Sequence, residues 1–197
     1  MNEDALAQAR ALDAERAATG PRSPLHGIPV VLKDLIDVKG LPTTGGFKPF
    51  GDVYPPKNAV VTQKLLDAGA IMLAKVNTTN WWGNGFDETH IMGNSRNPYN
   101  PLYDTSGSSN GPGAAIAAWF ATIGLGTDTG SSVQGPAAIN GLAGMVGAYG
   151  MISRTGSVPQ GAHQDRIGPM CRSIYDMATT FSYMTGWDSE DLSTFHG

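Results

Sequence analysis

The amino-acid sequence predicts an α/β fold with a largely internal sheet, and three features predict it. Short apolar, β-branched runs stand at residues 28–32, 71–76 and 123–126, each bounded by turn residues. Segments with helical spacing lie between and around them. The resulting order of strand, loop and helix repeats along the chain, which is the pattern of sheets covered by helices. The 26 glycines and 13 prolines have no period. Collagen and low-complexity readings are therefore excluded, and the glycines imply tight turns and close backbone approach.

Residues 2–19 read as a first helix, with Asn2 as cap, Glu3 and Asp4 at its positive end, and Gly20 as its stop. Leu6, Ala9 and Leu12 give it a modest apolar stripe. Residues 28–32 follow as a buried strand, with Lys33 and Asp34 at its end. Residues 39–58 are turn-rich and predict a long surface loop. Val61, Leu65 and Ala68 predict a helix over 58–68, ended by Gly69, and residues 71–76 a second strand. Residues 77–108 form a second long loop, a type that often carries function in compact domains. Small residues over 113–122 predict a closely packed helix, with Trp119 and Phe120 in the core. A strand at 123–126 and helices at 132–140 and 172–185 complete the chain, with no internal repeat and no linker.

The composition narrows the function classes. Of the 197 residues, 41% are hydrophobic and 15% charged, which is globular rather than disordered. Net charge is −4 with scattered Lys and Arg, so no nucleic-acid groove is expected. No apolar run is long enough to span a membrane. The first residues, MNEDALAQAR, are not a signal peptide, and the single Cys171 cannot pair within the chain. A cytoplasmic location is therefore expected. The Asn77-Thr78-Thr79 sequon carries little weight without a secretory signal. His90, His163 and His196 have no metal-ligand spacing, and His26 reads as a packed turn residue.

The chemistry concentrates in two serine-bearing turns. Ser106-Gly107-Ser108-Ser109-Asn110-Gly111 precedes one helix, and Gly126-Thr127-Asp128-Thr129-Gly130-Ser131-Ser132 lies between a strand and another. Helix starts offer N–H groups and a positive dipole end, suited to an oxyanion. Taken singly, each turn also reads as a plain helix cap. A second reading takes Gly107-x-Ser109-x-Gly111 as a nucleophile elbow centred on Ser109. That reading needs a strand before the elbow and a late histidine. Residues 101–105 make a poor strand, and only His163 and His196 are candidates. Trp81 and Trp82 read equally as pocket lining or as core.

Taken together, the two turns resemble the amidase-signature family. Further matches are Pro24-Leu25-His26-Gly27-Ile28-Pro29-Val30-Val31-Leu32-Lys33-Asp34 and Leu41-Pro42-Thr43-Thr44-Gly45-Gly46. Arg96-Asn97-Pro98-Tyr99, Tyr149-Gly150-Met151-Ile152-Ser153-Arg154 and Asp165-Arg166-Ile167-Gly168-Pro169-Met170 continue the family order over nearly the whole chain. The resemblance implies a mixed β-sheet flanked by helices, in one catalytic core over residues 1–197. It implies Ser132 as nucleophile, Ser108 after a cis peptide bond as proton relay, and Lys33 as base. The N–H groups of Thr129, Gly130, Ser131 and Ser132 would form the oxyanion hole. Asp128 and Ser109 would support the loops.

The implied reaction is hydrolysis of an amide, ester or carbamate through an acyl-enzyme, on a small-molecule substrate and without a metal or organic cofactor. Its physics is coherent. A serine hydroxyl needs a base within reach, and lysine serves only when burial keeps it neutral. Lys33 alone would read as an ordinary strand-end lysine with its head in water. Several positions depart from the family pattern: Asn110 and Pro112 beside the relay turn, Ser131 for glycine, Gln134 for a common arginine, and Met145-Val146-Gly147-Ala148 for Leu-Lys-Pro-Thr. Family members are commonly much longer. The sheet is therefore expected to need strands this chain lacks, and self-association or a complementary chain is expected. The alternative readings are a partial, non-catalytic module and one subunit of an amidotransferase.

Overall fold

The computed structural model describes residues 1–79, 91 and 93–196. The elements in chain order are α1 (Ala5–Thr19), β1 (Pro29–Lys33), α2 (Val60–Asp67), β2 (Ile71–Val76), α3 (Asn110–Ala117), β3 (Ile123–Asp128), α4 (Gln134–Ile139), β4 (Ala143–Gly144), β5 (Arg166–Cys171) and α5 (Ile174–Met184). The strands form one sheet in the order β2-β1-β3-β5-β4. β1 runs parallel to β2 and β3, and β5 runs antiparallel to β3 and β4. The sheet is mixed and flanked by helices, as the sequence implies.

The sheet is buried on both faces. Period-2 alternation sends Val30 and Leu32 of β1 to one side and Val31 to the other. On the first side they pack with Leu65 of α2, Phe181 and Met184 of α5, and Ile123 and Leu125 of β3. On the second side Val31 packs with Ala74, Ala115, Ile116 and Ala121. A strand covered on both faces reads as a continuous apolar run, which is why β1 is legible from its sequence. One ion pair pins the chain's last segment. Arg154 donates to Asp191 at 2.9 Å and holds that carboxyl well below the usual carboxylate range.

Four expectations need correction. The α1 stripe of Leu6, Ala9 and Leu12 is not a core face, since no residue of α1 is buried and Leu6 is 75% exposed. The helix is held by polar contacts instead. His26 Nε2 bonds the Leu12 carbonyl at 2.8 Å, and the Arg22 N–H donates to His26 Nδ1 at 3.2 Å. Asn2 is not the N-cap of α1, which is Asp4, although its Oδ1 accepts the Asp4 N–H at 3.1 Å; its own N–H and side-chain amide bond Leu73 and Met72 carbonyls at the edge of β2.

Trp119 and Phe120 are 75% and 72% exposed, not core. The helix α3 starts and ends earlier than its composition suggests, so both residues fall in the turn after it. Trp119 adopts φ 65° there, and the Arg172 guanidinium stacks on its ring at 3.9 Å. Arg172 also donates to the Ile116 and Ala121 carbonyls at 2.8 and 2.9 Å, which closes the turn. The predicted 77–108 loop falls partly on residues outside those described, as do Trp81, Trp82 and His90.

The sequence does not predict strands β4 and β5. β4 has only two residues, and β5 carries Gly168-Pro169 in its middle, a pair that argues against an internal strand. The glycine has a steric reason: a Cβ there would overlap the Met145 carbonyl oxygen on the neighbouring segment. Gly168→Ala should therefore cost about 3 kcal/mol by forcing apart β5 and the segment leading from β4. Phe120→Ser, on the exposed turn, should stay within about 0.5 kcal/mol. Urea unfolding midpoints of the two variants check this contrast.

Candidate active site

The site forms where the parallel strands end. Lys33 closes β1 and is fully buried. Its Nζ lies 2.6 Å from Ser108 Oγ and 2.8 Å from Thr127 Oγ1, with the Thr127 carbonyl at 3.5 Å. Burial lowers the Lys33 pKa from 10.5 to about 7, against the opposing pull of the Asp128 and Asp165 charges. An ammonium without solvent loses more than two carboxylates beyond contact distance can return. Lys33 is therefore poised between charged and neutral near neutral pH.

The neighbouring residues are held apart from this chemistry by their own network. Asp34 pairs with Lys75 at 3.0 Å and also accepts the Thr44 hydroxyl, with both members of the ion pair buried. This pair fixes the 43–46 loop against the end of β1.

The first serine turn sits on β2's continuation. The Gly107–Ser108 peptide bond is cis. The Ser108 carbonyl accepts from the Thr79 N–H at 3.0 Å and the Thr78 hydroxyl at 3.1 Å. Ser109 is completely buried, and its hydroxyl donates to the Thr127 carbonyl at 3.1 Å. That removes the nucleophile-elbow reading, because a buried hydroxyl committed to a carbonyl cannot attack a substrate. The close approach depends on Gly126, where a Cβ would fall 2.6 Å from Ser109 Oγ.

The second turn is organised by Asp128 at the end of β3. Its carboxylate accepts N–H groups from Ser131 (3.0 Å), Val133 (2.8 Å) and Gln134 (3.4 Å). Burial pushes the Asp128 pKa up, but these N–H groups together outweigh it, and the pKa is lowered overall. The carboxylate thus stays ionised and takes the first donors of α4. Gln134, standing for the family arginine, adds its amide at 3.5 Å, while the cation beside Asp128 comes from Arg166 of β5 at 3.3 Å.

The sequence-predicted residues are brought together unevenly. Lys33 and Ser108 are in direct contact. The two turns are joined by the Ser109 N–H, which donates to the Ser132 carbonyl at 3.3 Å. Ser132 is half-buried at the head of the turn before α4. Among the described residues its hydroxyl has no hydrogen-bond partner, and none joins it to Ser108. The N–H groups of Thr129, Gly130 and Ser132 likewise bond nothing among the described residues, whereas the Ser131 N–H is taken by Asp128. Ser131 holds φ 88°, a left-handed conformation that suits the glycine it replaces.

Three residues escape the sequence reading. Thr127 is the second partner of Lys33 and lies inside the quoted motif, where a buried lysine's need for acceptors could have pointed to it. Asp165 accepts the Thr129 hydroxyl at 2.5 Å, and Arg166 meets Asp128. Both stand in the matched stretch 165–170, but nothing local marks their roles, because Arg166 reaches the site through β5 and Asp165 from just ahead of it. Of the histidines, His26 serves the α1 contact and His163 is exposed.

Comparison with known proteins shows the family. A family model described as Amidase matches residues 1–196. The chain belongs to the Amidase family. It is 43% identical to a glutamyl-tRNA(Gln) amidotransferase subunit of Lachnoclostridium phytofermentans over 96% of this chain and 38% of that protein. The native peptide amidase of Stenotrophomonas maltophilia superposes with TM-score 0.90 at 37% identity, covering 100% of this chain and 41% of that one. The corresponding glutamyl-tRNA(Gln) amidotransferase subunit of Thermotoga maritima superposes with TM-score 0.81 at 32% identity, covering 86% and 37%. This Amidase-family chain therefore spans about two fifths of the length of the relatives it matches. Among its described residues, no helix is long and apolar enough to cross a membrane.

The backbone strain and the buried charge at this site each have a measurable consequence. Ser131→Gly should stabilise the chain by about 0.5–1 kcal/mol, the left-handed penalty less glycine's added chain entropy, read as a rise in the urea midpoint. For Lys33 the folded pKa lies below the unfolded one. Between about pH 7 and pH 10.5 the unfolded chain therefore binds a proton that the folded chain does not, and stability rises with pH across that window. Lys33→Met should remove the share of this slope that Lys33 supplies, leaving the contributions of Lys75, Lys64 and Cys171, and be the more stable protein at pH 7. Thermal melts of both proteins at pH 7 and pH 10 measure the difference.

Proposed function

We propose that this chain carries the catalytic centre of a serine amidase that works through a covalent acyl-enzyme on Ser132. The observation that carries the reading is Lys33, fully buried, with its pKa lowered to about 7 and its amine 2.6 Å from Ser108 Oγ. A lysine so placed has one use that a structural role does not explain: its neutral amine can accept the Ser108 proton. Ser108 in turn takes the Ser132 proton as the Ser132 oxygen attacks the carbonyl carbon of the amide. The tetrahedral oxygen then meets the N–H groups of Thr129, Gly130 and Ser132, each able to lower the barrier by about 3–4 kcal/mol. The proton returns through Ser108 to the leaving amine. Water repeats the sequence on the ester intermediate and frees the acid.

Asp128 and Ser109 act in this scheme as loop supports, holding the two turns in register. The reaction needs no metal or organic cofactor. A complementary polypeptide belongs to the proposal as well. The chain covers 38% and 41% of two of the Amidase-family relatives above, and β4 leaves the sheet with a two-residue edge strand. The amide donor stays at the level of class: a small amide, or a glutamine side chain if this chain works within an amidotransferase. Release of ammonia from glutamine, compared with a panel of simple carboxamides, separates these two substrates.

The test of the mechanism has two arms. A fluorophosphonate probe should label Ser132, and Ser132→Ala should abolish that labelling; labelling that survives the substitution would overturn the assignment. Amide turnover should rise with pH through about 7 and then level off, as Lys33 loses its proton. Lys33→Ala should lower turnover about a thousandfold. An activated ester should suffer less than an amide, because its leaving group departs without a proton.

A further inference from the structure

Asp165 stands just ahead of β5, outside the residues that the proposed chemistry uses. Its Oδ1 accepts the Thr129 hydroxyl at 2.5 Å. It also accepts the Gly161 N–H at 2.9–3.0 Å and the Gln160 N–H at 2.8 Å. The 129–132 loop has no regular structure, so its shape depends on such ties. Asp128 holds it from within through Ser131 and Val133. Ser109 holds its far end through the Ser132 carbonyl. At the near end, Thr129 is held by Asp165, and the Thr129 N–H is one of the donors bonding nothing among the described residues.

We propose that Asp165 is a positioning residue for the oxyanion loop, fixing the Thr129 N–H through the Thr129 hydroxyl and tying the loop to the segment before β5. This rests on the serine-amidase reading above. An oxyanion donor must point at where charge develops, so a loosened end of the loop lowers the rate of attack rather than binding. The same carboxylate also reaches Lys33 through space. Among the described residues, the charges facing Lys33 are Asp128 on β3, itself paired with Arg166, and Asp165; the Asp34–Lys75 pair closes off the adjoining end of β1 and β2. Asp165 favours the protonated amine, so removing its charge should free the base at lower pH.

The experiment is the second-order rate of Ser132 labelling by a fluorophosphonate probe, measured against pH on the wild-type chain. The probe's phosphorus centre is attacked by the same oxygen and loses fluoride without a proton, so substrate identity does not enter. Asp165→Asn should label about tenfold more slowly on the plateau, with its acid limb moved to lower pH. Thr129→Val removes the hydroxyl bond but leaves the Asp165 turn and charge. It should slow labelling similarly while its limb stays in place. A defect of folding alone would lower the labelled fraction, not move the limb. Thr129→Val labelling at the wild-type rate overturns the proposal, as does Asp165→Asn with rate and limb both unchanged. A wild-type chain not labelled at Ser132 overturns the serine-amidase reading itself, and this proposal with it.

Discussion

Everything at this site depends on one buried amine. Lys33 is carried into the interior because β1 is covered on both faces and Lys33 is its last residue. Water is excluded there, and the ammonium form loses its solvation. Two oxygens compensate, Ser108 Oγ and Thr127 Oγ1, each a good partner for a neutral amine. Burial outweighs the opposing pull of the Asp128 and Asp165 charges and leaves the pKa about 7 rather than near that of a surface lysine. Burial makes the amine a weaker base than a surface lysine but leaves much of it neutral near pH 7, beside a hydroxyl as its nearest neighbour.

The opposing charges are arranged so that they hold loops without undoing this. Asp128 and Asp165 both favour the protonated lysine, yet each spends its acceptor capacity elsewhere. Asp128 is saturated by the N–H groups of Ser131, Val133 and Gln134 and by Arg166. Asp165 is saturated by Thr129, Gln160 and Gly161. Neither contacts the amine. The carboxylates therefore shape the 129–132 loop, and desolvation keeps control of the Lys33 amine.

Two of the departures from the family pattern, Ser131 and Gln134, have local explanations; nothing in the structure explains the others. Ser131 replaces a glycine and keeps the left-handed backbone that a glycine would adopt. Gln134 replaces an arginine, and Arg166 brings a guanidinium to the same carboxylate from the neighbouring strand. The chain is similar over nearly its whole length both to a peptide amidase and to an amidotransferase subunit.

By itself the sequence determined the strands that are apolar on both faces, β1, β2 and β3, and the helices between them, because local periodicity and turn residues encode them. It also determined the family through two ordered serine turns, and with it Lys33, Ser108 and Ser132 as candidates. Tertiary structure alone decided what the neighbours do. Strand pairing carried Asp165 and Arg166 to the site from far along the chain. A turn set by Arg172 turned Trp119 and Phe120 outward. Polar anchors rather than an apolar stripe fixed α1, and contact with a facing carbonyl put Gly168 inside β5. Each of these rests on atoms distant in sequence, whose meeting depends on the register of the sheet, and no local pattern of residue types records that register.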